Sequence, residues 1–228
     1  GAECRRGDLL AAAGAVASPA LVGMAAAAGL DTLTVVRTPQ VATLVLGDEL
    51  LVRGPARDGR VRDALGPMLP GWIGALGALA YPPQHVPDTL EALALAIDDA
   101  ACDVIVTTGS TARGPVDHLH RALDRLGARV LVDGVAVRPG HPMLLAALPD
   151  GRVLVGLPGN PLAAVSGLLT LVGPLLAGMR DDPGADPTLP EQRAVLADSV
   201  SSHPDDTRLV PVRLDRGELV VSAWPLHH

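Results

Sequence analysis

"VTTGSTARGPVDHLHRAL", Val106 to Leu123, is the stretch on which the fold turns. An apolar strand runs into small hydroxyl and glycine residues, and a helix opens behind them with Asp117 in its first turns. Thr107, Thr108, Gly109 and Ser110 place hydroxyls and a close-approach glycine at a strand end, with Gly114 further along the same loop. The helix behind them supplies free N–H groups and the positive end of its dipole. That combination suits a phosphate or the polar edge of a heterocycle. Taken alone, the same pattern also describes a strand-to-helix turn with capping hydroxyls.

Working outward, "VATLVL" (41–46) is a continuous apolar run of the kind buried on both faces of a sheet, and it stops at Gly47 with Asp48 and Glu49 behind it. "DGRVRDALGPMLPGWIGALGALAYPP" (58–83) reads as a loop, a helix and a short apolar strand, with Pro67 and Pro70 making that helix short or irregular. Asp63 stands near its start, where an acid caps the helix or complements its dipole. "VPDTLEALALAIDDAAC" (86–102) is amphipathic, with Asp88 expected as N-cap and Leu90, Leu93, Ala94 and Ile97 at helical spacing. Downstream come a strand start in "ARVLVDGVAVRPG" (128–140), then "PMLLAAL" and "RVLVGLPGNP" around a Pro-Asp-Gly turn at 149–151. "PLAAVSGLLTLVGPLLAG" (161–178) is an apolar helix expected to be buried. The alternation predicts an α/β fold: three layers, a mostly parallel sheet, helices on both faces. Ligands of such sheets bind beyond the carboxyl ends of the strands, where this chain puts "GDEL", "TTGSTARG" and "LPGNP".

Residues 1–30 are expected to form a helical segment of two short helices, the second with Ser18 as N-cap, Pro19 at its first position and Gly29 as its stop. Residues 31–180 form the predicted α/β domain. "RDDPGADPTLPEQ" (180–192) reads as a linker, and 190–228 as a small, incomplete β domain with a hairpin turn at Asp215-Arg216-Gly217.

The 228 residues are 48% hydrophobic but only 1% aromatic, so the core must be built from Leu, Val, Ala and Ile. A net charge of −7 argues against a nucleic-acid surface and against an anionic membrane. The apolar N-terminal run is broken by Gly14 and Pro19 and is too rich in Ala for a membrane span. Cys4 and Cys102 match neither a disulfide framework nor a metal-ligand spacing, which fits a reduced, cytoplasmic setting. The seven histidines form no ligand pattern; His118 and His120 point to different faces of one helix.

A carboxylate at Asp117 beside phosphate oxygens requires a cation, and Mg²⁺ needs only one or two carboxylates. The plainer alternative is a helical ion pair of Asp117 with Arg121. "RPGHP" (138–142) and "LPGNP" (157–161) are rigid loops in which Pro139 and Pro158 fix φ, Gly140 and Gly159 expose backbone, and Arg138 adds a bidentate oxyanion donor. Two tight turns would look the same. No Ser-His-Asp set, P-loop or dinucleotide fingerprint is present.

Taken together, "GDEL" (47–50), "RDALGPML" (62–69), "TTGSTARGPVD" (107–117), "RPGHP" (138–142) and "GLPGNP" (156–161) resemble, in this order, the molybdopterin molybdenumtransferases, the molybdenum-insertion enzymes similar to the C-terminal part of gephyrin. The resemblance implies insertion of molybdate into adenylylated molybdopterin with Mg²⁺-dependent release of AMP, by a homodimer. It implies that Glu49, Asp63 and Asp117 are the acids of the site, with Asp63 and Asp117 placing Mg²⁺. Thr107, Thr108, Gly109 and Ser110 match the pterin-phosphate loop, and Arg138-Pro139 a Lys-Pro pair at the molybdate pocket; Gly114, Gly140, Pro158, Gly159 and Asn160 complete the matching loops. The sequence departs from the family at Val45-Leu46, Ala64-Leu65, Ser110, Ala112 and Ala163, where hydroxyl, amide or glycine residues are usual. The retained acids favour an enzyme. The missing donors favour a molybdopterin-binding or carrier protein, and a partner subunit of a split enzyme is a third alternative.

Overall fold

The computed structural model describes residues 5, 7–109, 111, 118–181, 194–201, 204–216 and 221–225. In chain order the elements are α1 (Pro19–Ala27), β1 (Gln40–Leu46), β2 (Leu50–Leu51), β3 (Val61–Arg62), α2 (Leu65–Ala75), β4 (Leu79–Ala80), β5 (Gln84–Val86), α3 (Leu90–Asp99), β6 (Val104–Thr108), α4 (His118–Arg125), β7 (Arg129–Asp133), β8 (Val137–Arg138), β9 (Leu144–Ala147), β10 (Val153–Leu157), α5 (Pro161–Gly167), α6 (Gly173–Met179), β11 (Val195–Leu196), β12 (Thr207–Arg208), β13 (Val212–Arg216) and β14 (Val221–Pro225).

The apolar runs read from the sequence become the centre of a seven-stranded sheet. Its order is β4-β1-β6-β10-β9-β7, with β5 also paired to β1. The β1 pairings with β4, β5 and β6, and that of β6 with β10, are parallel; β9 runs antiparallel to both β10 and β7. Alternation along the strands splits the core in two. Leu44, Leu46, Ile105 and Leu154 face Leu93 and Ile97 of α3 and Leu119 and Leu123 of α4. Val41, Val104, Val106 and Leu157 face Leu69 and Ile73 of α2 and the helical run from Ala164 to Leu176. Each such aliphatic side chain is worth about 1.5–3 kcal/mol when fully buried. The three-layer α/β expectation is therefore met.

Residues Pro161–Met179 form one helical stretch, long and apolar enough to cross a membrane, yet its Ala164, Leu168, Val172 and Leu176 pack on the sheet. Pro174 has no N–H to offer the preceding turn, and Leu168–Val172 widens into a π turn in which Gly173 N–H reaches Leu168 O. Among the described residues of the N-terminal segment there is one helix, α1, in place of the two expected. Its ends follow the sequence: Ser18 Oγ accepts from Leu21 N, and the chain leaves through Gly29 (φ 85), with Leu30 N bonded to Ala25 O and Gly29 N to Ala26 O.

Two other expectations are corrected. The N-cap of α3 is Thr89, whose Oγ1 accepts from Ala92 N, while the Asp88 N–H turns to Asp48 Oδ1. The hairpin turn between β13 and β14 does not include Asp215 and Arg216, where it was expected. Asp215 and Arg216 are paired strand residues opposite Ser222 and Val221, and the connecting residues lie outside the described ones. The C-terminal residues form the three-stranded sheet β11-β14-β13, and β12 pairs in parallel with β8 of the α/β unit.

Asp103 staples the entry to the sheet. It takes both Arg37 guanidinium nitrogens (2.9 and 2.5 Å) and Gln40 N (2.8 Å). The Arg37 hydrogen bond, with the Gln40 N–H and the Arg37 charge, holds its carboxyl below the usual range against the opposing effect of burial. A carboxyl with a depressed folded pKa stabilises fully above its unfolded value and loses that contribution as pH falls through the folded value. Asp103→Asn is therefore expected to flatten the acid limb of a urea-midpoint series taken from about pH 5 to about pH 2. An unchanged slope would contradict the staple.

Candidate functional site

The site forms where β1, β6 and β10 end. Gly109 leaves β6 at φ 80, its N–H bonded to Leu157 O (2.9 Å), and a Cβ there would stand 3.4 Å from Leu46 O. Glycine is needed because the loop passes between the ends of both neighbouring strands. A Cβ on Gly159 would lie 3.8 Å from Gly109 Cα, so the "LPGNP" loop runs close beside the "TTG" loop. On β10, Gly156 leaves room for Thr111 and Leu119, whose side-chain atoms lie 2.9 and 3.0 Å from where its Cβ would be.

Within these loops the predicted residues divide. Thr107 and Thr108 are buried, and Thr107 Oγ1 has no hydrogen-bond partner among the described residues. Pro158 is buried, whereas Gly159 and Asn160 are exposed. The Asn160 side chain caps α5, its Oδ1 accepting from Leu162 N (3.0 Å) and Ala163 N (3.3 Å). Ser110, Gly114 and Asp117 lie outside the described residues.

The β2–β3 ladder brings the other two acids to the same end of the sheet, with Val61 N bonded to Glu49 O and Asp63 N to Leu51 O. Glu49 is exposed, and its carboxylate folds back over Gly47, where a Cβ would meet it at 2.8 Å. Asp63 is buried. Its Oδ1 accepts from Leu65 N and Gly66 N (2.9 Å each), and its Oδ2 meets His85 Nε2 at 2.9 Å. A carboxylate only accepts, so Nε2 carries the proton in this pair. His85 sits beside Val45 in the β5–β1 register. Sequence reading missed it because nothing local marks a histidine 22 residues from its partner.

Mg²⁺ at Asp63 and Asp117 was expected. Both Asp63 oxygens are already engaged, and among the described residues no three or more His, Cys, Asp or Glu side chains stand together in a way that could hold a metal ion. Asp117, the other expected ligand, lies outside the described residues.

The Arg138–Pro142 loop arrives from the other side. Arg138 is exposed, Arg138-Pro139 is a cis peptide, and Gly140 (φ 121) packs on Ser166 and Ala163 of α5. The loop and the C-terminal residues line an open cavity of about 840 Å³, together with Ser199, Ser201, Asp206 and Arg208. Its neighbouring residues Arg208 and Asp206 carry charge that the sequence reading did not single out.

A family described as a probable molybdopterin binding domain matches residues 42–178. The chain belongs to this family. It is 32% identical over 182 residues to a molybdopterin molybdenumtransferase of Staphylococcus aureus, covering 78% of this chain and 43% of that protein. A molybdopterin molybdenumtransferase of Staphylococcus epidermidis gives 32% over 179 residues, covering 76% and 42%. The structure of the molybdopterin biosynthesis moea protein of Pyrococcus horikosii superposes with a TM-score of 0.72 at 27% identity, over 90% of this chain and 49% of that one. MoaB of Pyrococcus furiosus, a tungsten cofactor synthesizing protein, shares the fold at TM-score 0.51 and 20% identity, over 64% of this chain and 98% of that one. The chain spans less than half the length of the curated relatives it matches.

Proposed function

We propose that this chain binds adenylylated molybdopterin and takes part in inserting molybdate into it, with release of AMP, in molybdenum cofactor biosynthesis. The observation that carries the reading is the joining of the "TTG" and "LPGNP" loops by the Gly109 N–H to Leu157 O bond (2.9 Å) at the carboxyl ends of two parallel strands. Exposed backbone there suits a phosphorylated ligand in a protein of net charge −7, which must meet anions locally. Arg138 supplies a planar cation for the oxyanion of molybdate, and Glu49 remains an exposed acid near the same end. Ser110, Gly114 and Asp117 belong to the same reading through their match to the family's loop.

A second reading, a molybdopterin-binding or carrier protein without turnover or a partner subunit of a split enzyme, is favoured by Asp63, whose carboxylate is spent on the α2 amides and His85. The reading includes a homodimer. Val22, Leu30, Val35 and Val36 expose more than half their surface, the sort of apolar area a second subunit covers.

The test is to supply adenylylated molybdopterin and molybdate in magnesium-containing buffer and follow AMP by chromatography. AMP appearing in step with molybdate insertion is expected. Pterin binding with no AMP release over hours would overturn the enzyme and leave the binding protein. Absence of pterin binding would overturn both.

A further inference from the structure

At the cavity wall Arg138 is paired with Asp206, 68 residues away in sequence. Arg138 Nε donates to Asp206 Oδ2. The arginine side chain is 68% exposed and the aspartate 13%, so the carboxylate is the more fixed partner. What fixes it is the β8–β12 pairing. Thr207 N bonds to Ala136 O (2.8 Å) and Leu209 N to Arg138 O (2.9 Å), which sets Asp206 beside the first residue of the Arg-Pro-Gly loop. A guanidinium binds an oxyanion best through two parallel N–H groups, and a carboxylate at Nε occupies one such edge. Asp206 therefore stands where an oxyanion ligand of Arg138 would place an oxygen. It also puts a negative charge at the wall of a cavity that would receive an anion.

We propose that Asp206 is a resident counter-anion that sets the oxyanion affinity of the Arg138 loop: a tetrahedral oxyanion such as molybdate enters by displacing this carboxylate, and the displacement loosens β12 from β8. The proposal rests on the reading of Arg138 as the molybdate-facing cation. Coupling between two such events is reciprocal, so the factor by which docking of β12 weakens anion binding is the factor by which the anion weakens docking. For a partly exposed charge pair that factor is about fivefold at most.

The experiment titrates the full chain and its variants with sodium molybdate by calorimetry. It also follows amide hydrogen exchange at Thr207 and Leu209 with and without the anion. Asp206→Asn should bind molybdate more tightly than the parent, by up to about fivefold. Asp206→Glu, which keeps the charge, should stay near the parent, and Arg138→Ala should bind least. Molybdate should speed exchange at Thr207 and Leu209 in the parent and leave it unchanged in Asp206→Asn. Binding that depends on Arg138 yet is indifferent to Asp206→Asn would overturn the counter-anion while sparing the role of Arg138. So would equal changes in the Asn and Glu variants, which would mark a packing effect. No molybdate binding by the parent or by Asp206→Asn would overturn the role of Arg138 and the proposal with it.

Discussion

Asp63→Ala is expected to lower the unfolding free energy by about 3 kcal/mol. The side chain is 4% exposed and serves three groups at once: Leu65 N, Gly66 N and His85 Nε2. Losing a helix cap costs about 0.5–2 kcal/mol. Here Leu65 and Gly66 are themselves buried, so water cannot replace the lost acceptor, and a buried donor without a partner adds about 1–3 kcal/mol. Asp63→Asn keeps an oxygen for the two amides and should cost less than about 1 kcal/mol. Urea denaturation of both variants checks this, with the midpoint shifting and the slope preserved. An Ala variant as stable as the Asn variant would mean that the helix does not depend on the carboxylate. The pair also bears on function. A loss of AMP release in the folded Asn variant would assign chemistry to the charge rather than to the cap.

Gly140→Ala is expected to cost about 2–3 kcal/mol and to disable the Arg138 loop. Its φ of 121 is one that L side chains rarely adopt, and an added Cβ would lie 3.0 Å from Ser166 Cβ, 3.2 Å from Ala163 O and 3.2 Å from Met143 Cε. Ser166 and Ala163 belong to α5, packed on the sheet, so the loop must move instead. A displacement of about 1 Å in a group that positions substrate can cost about 10²-fold in rate. Gly151→Ala is the matched control: φ is 91 but nothing lies within 4 Å of the added carbon. It should cost about 1 kcal/mol and leave ligand binding and turnover alone. Equal losses at the two sites would show backbone strain, not the α5 contact, to be the cause.

The sheet was legible because β1 and β6 are apolar on consecutive residues, and α3 because Leu93, Ala94 and Ile97 recur at helical spacing. The α3 cap was misplaced by one residue because Asp88 and Thr89 are both good cap types, and only the tertiary bond of Asp88 N to Asp48 decides between them. Likewise, the "TTG" loop was readable as a ligand loop from its glycine and hydroxyls, whereas the burial of Thr107 follows from its place between Leu44 of β1 and Gly156 of β10, a pairing that local sequence does not show. The pairings Asp63–His85 and Arg138–Asp206 join residues remote in sequence through short ladders of two or three residues, which leave no periodic trace.

One reversed strand has a consequence for how such a site is transplanted. A loop that precedes a parallel strand belongs to the far edge of the sheet, whereas the loop before β9 opens beside the end of β10 because β9 runs the other way. Were the four residues of β9 turned round, "RPGHP" would start about 14 Å away, beyond reach of "LPGNP". An engineer grafting these loops onto another open α/β frame would thus have to carry the β9–β10 hairpin with them, since loop sequences alone would deliver the arginine to the wrong rim.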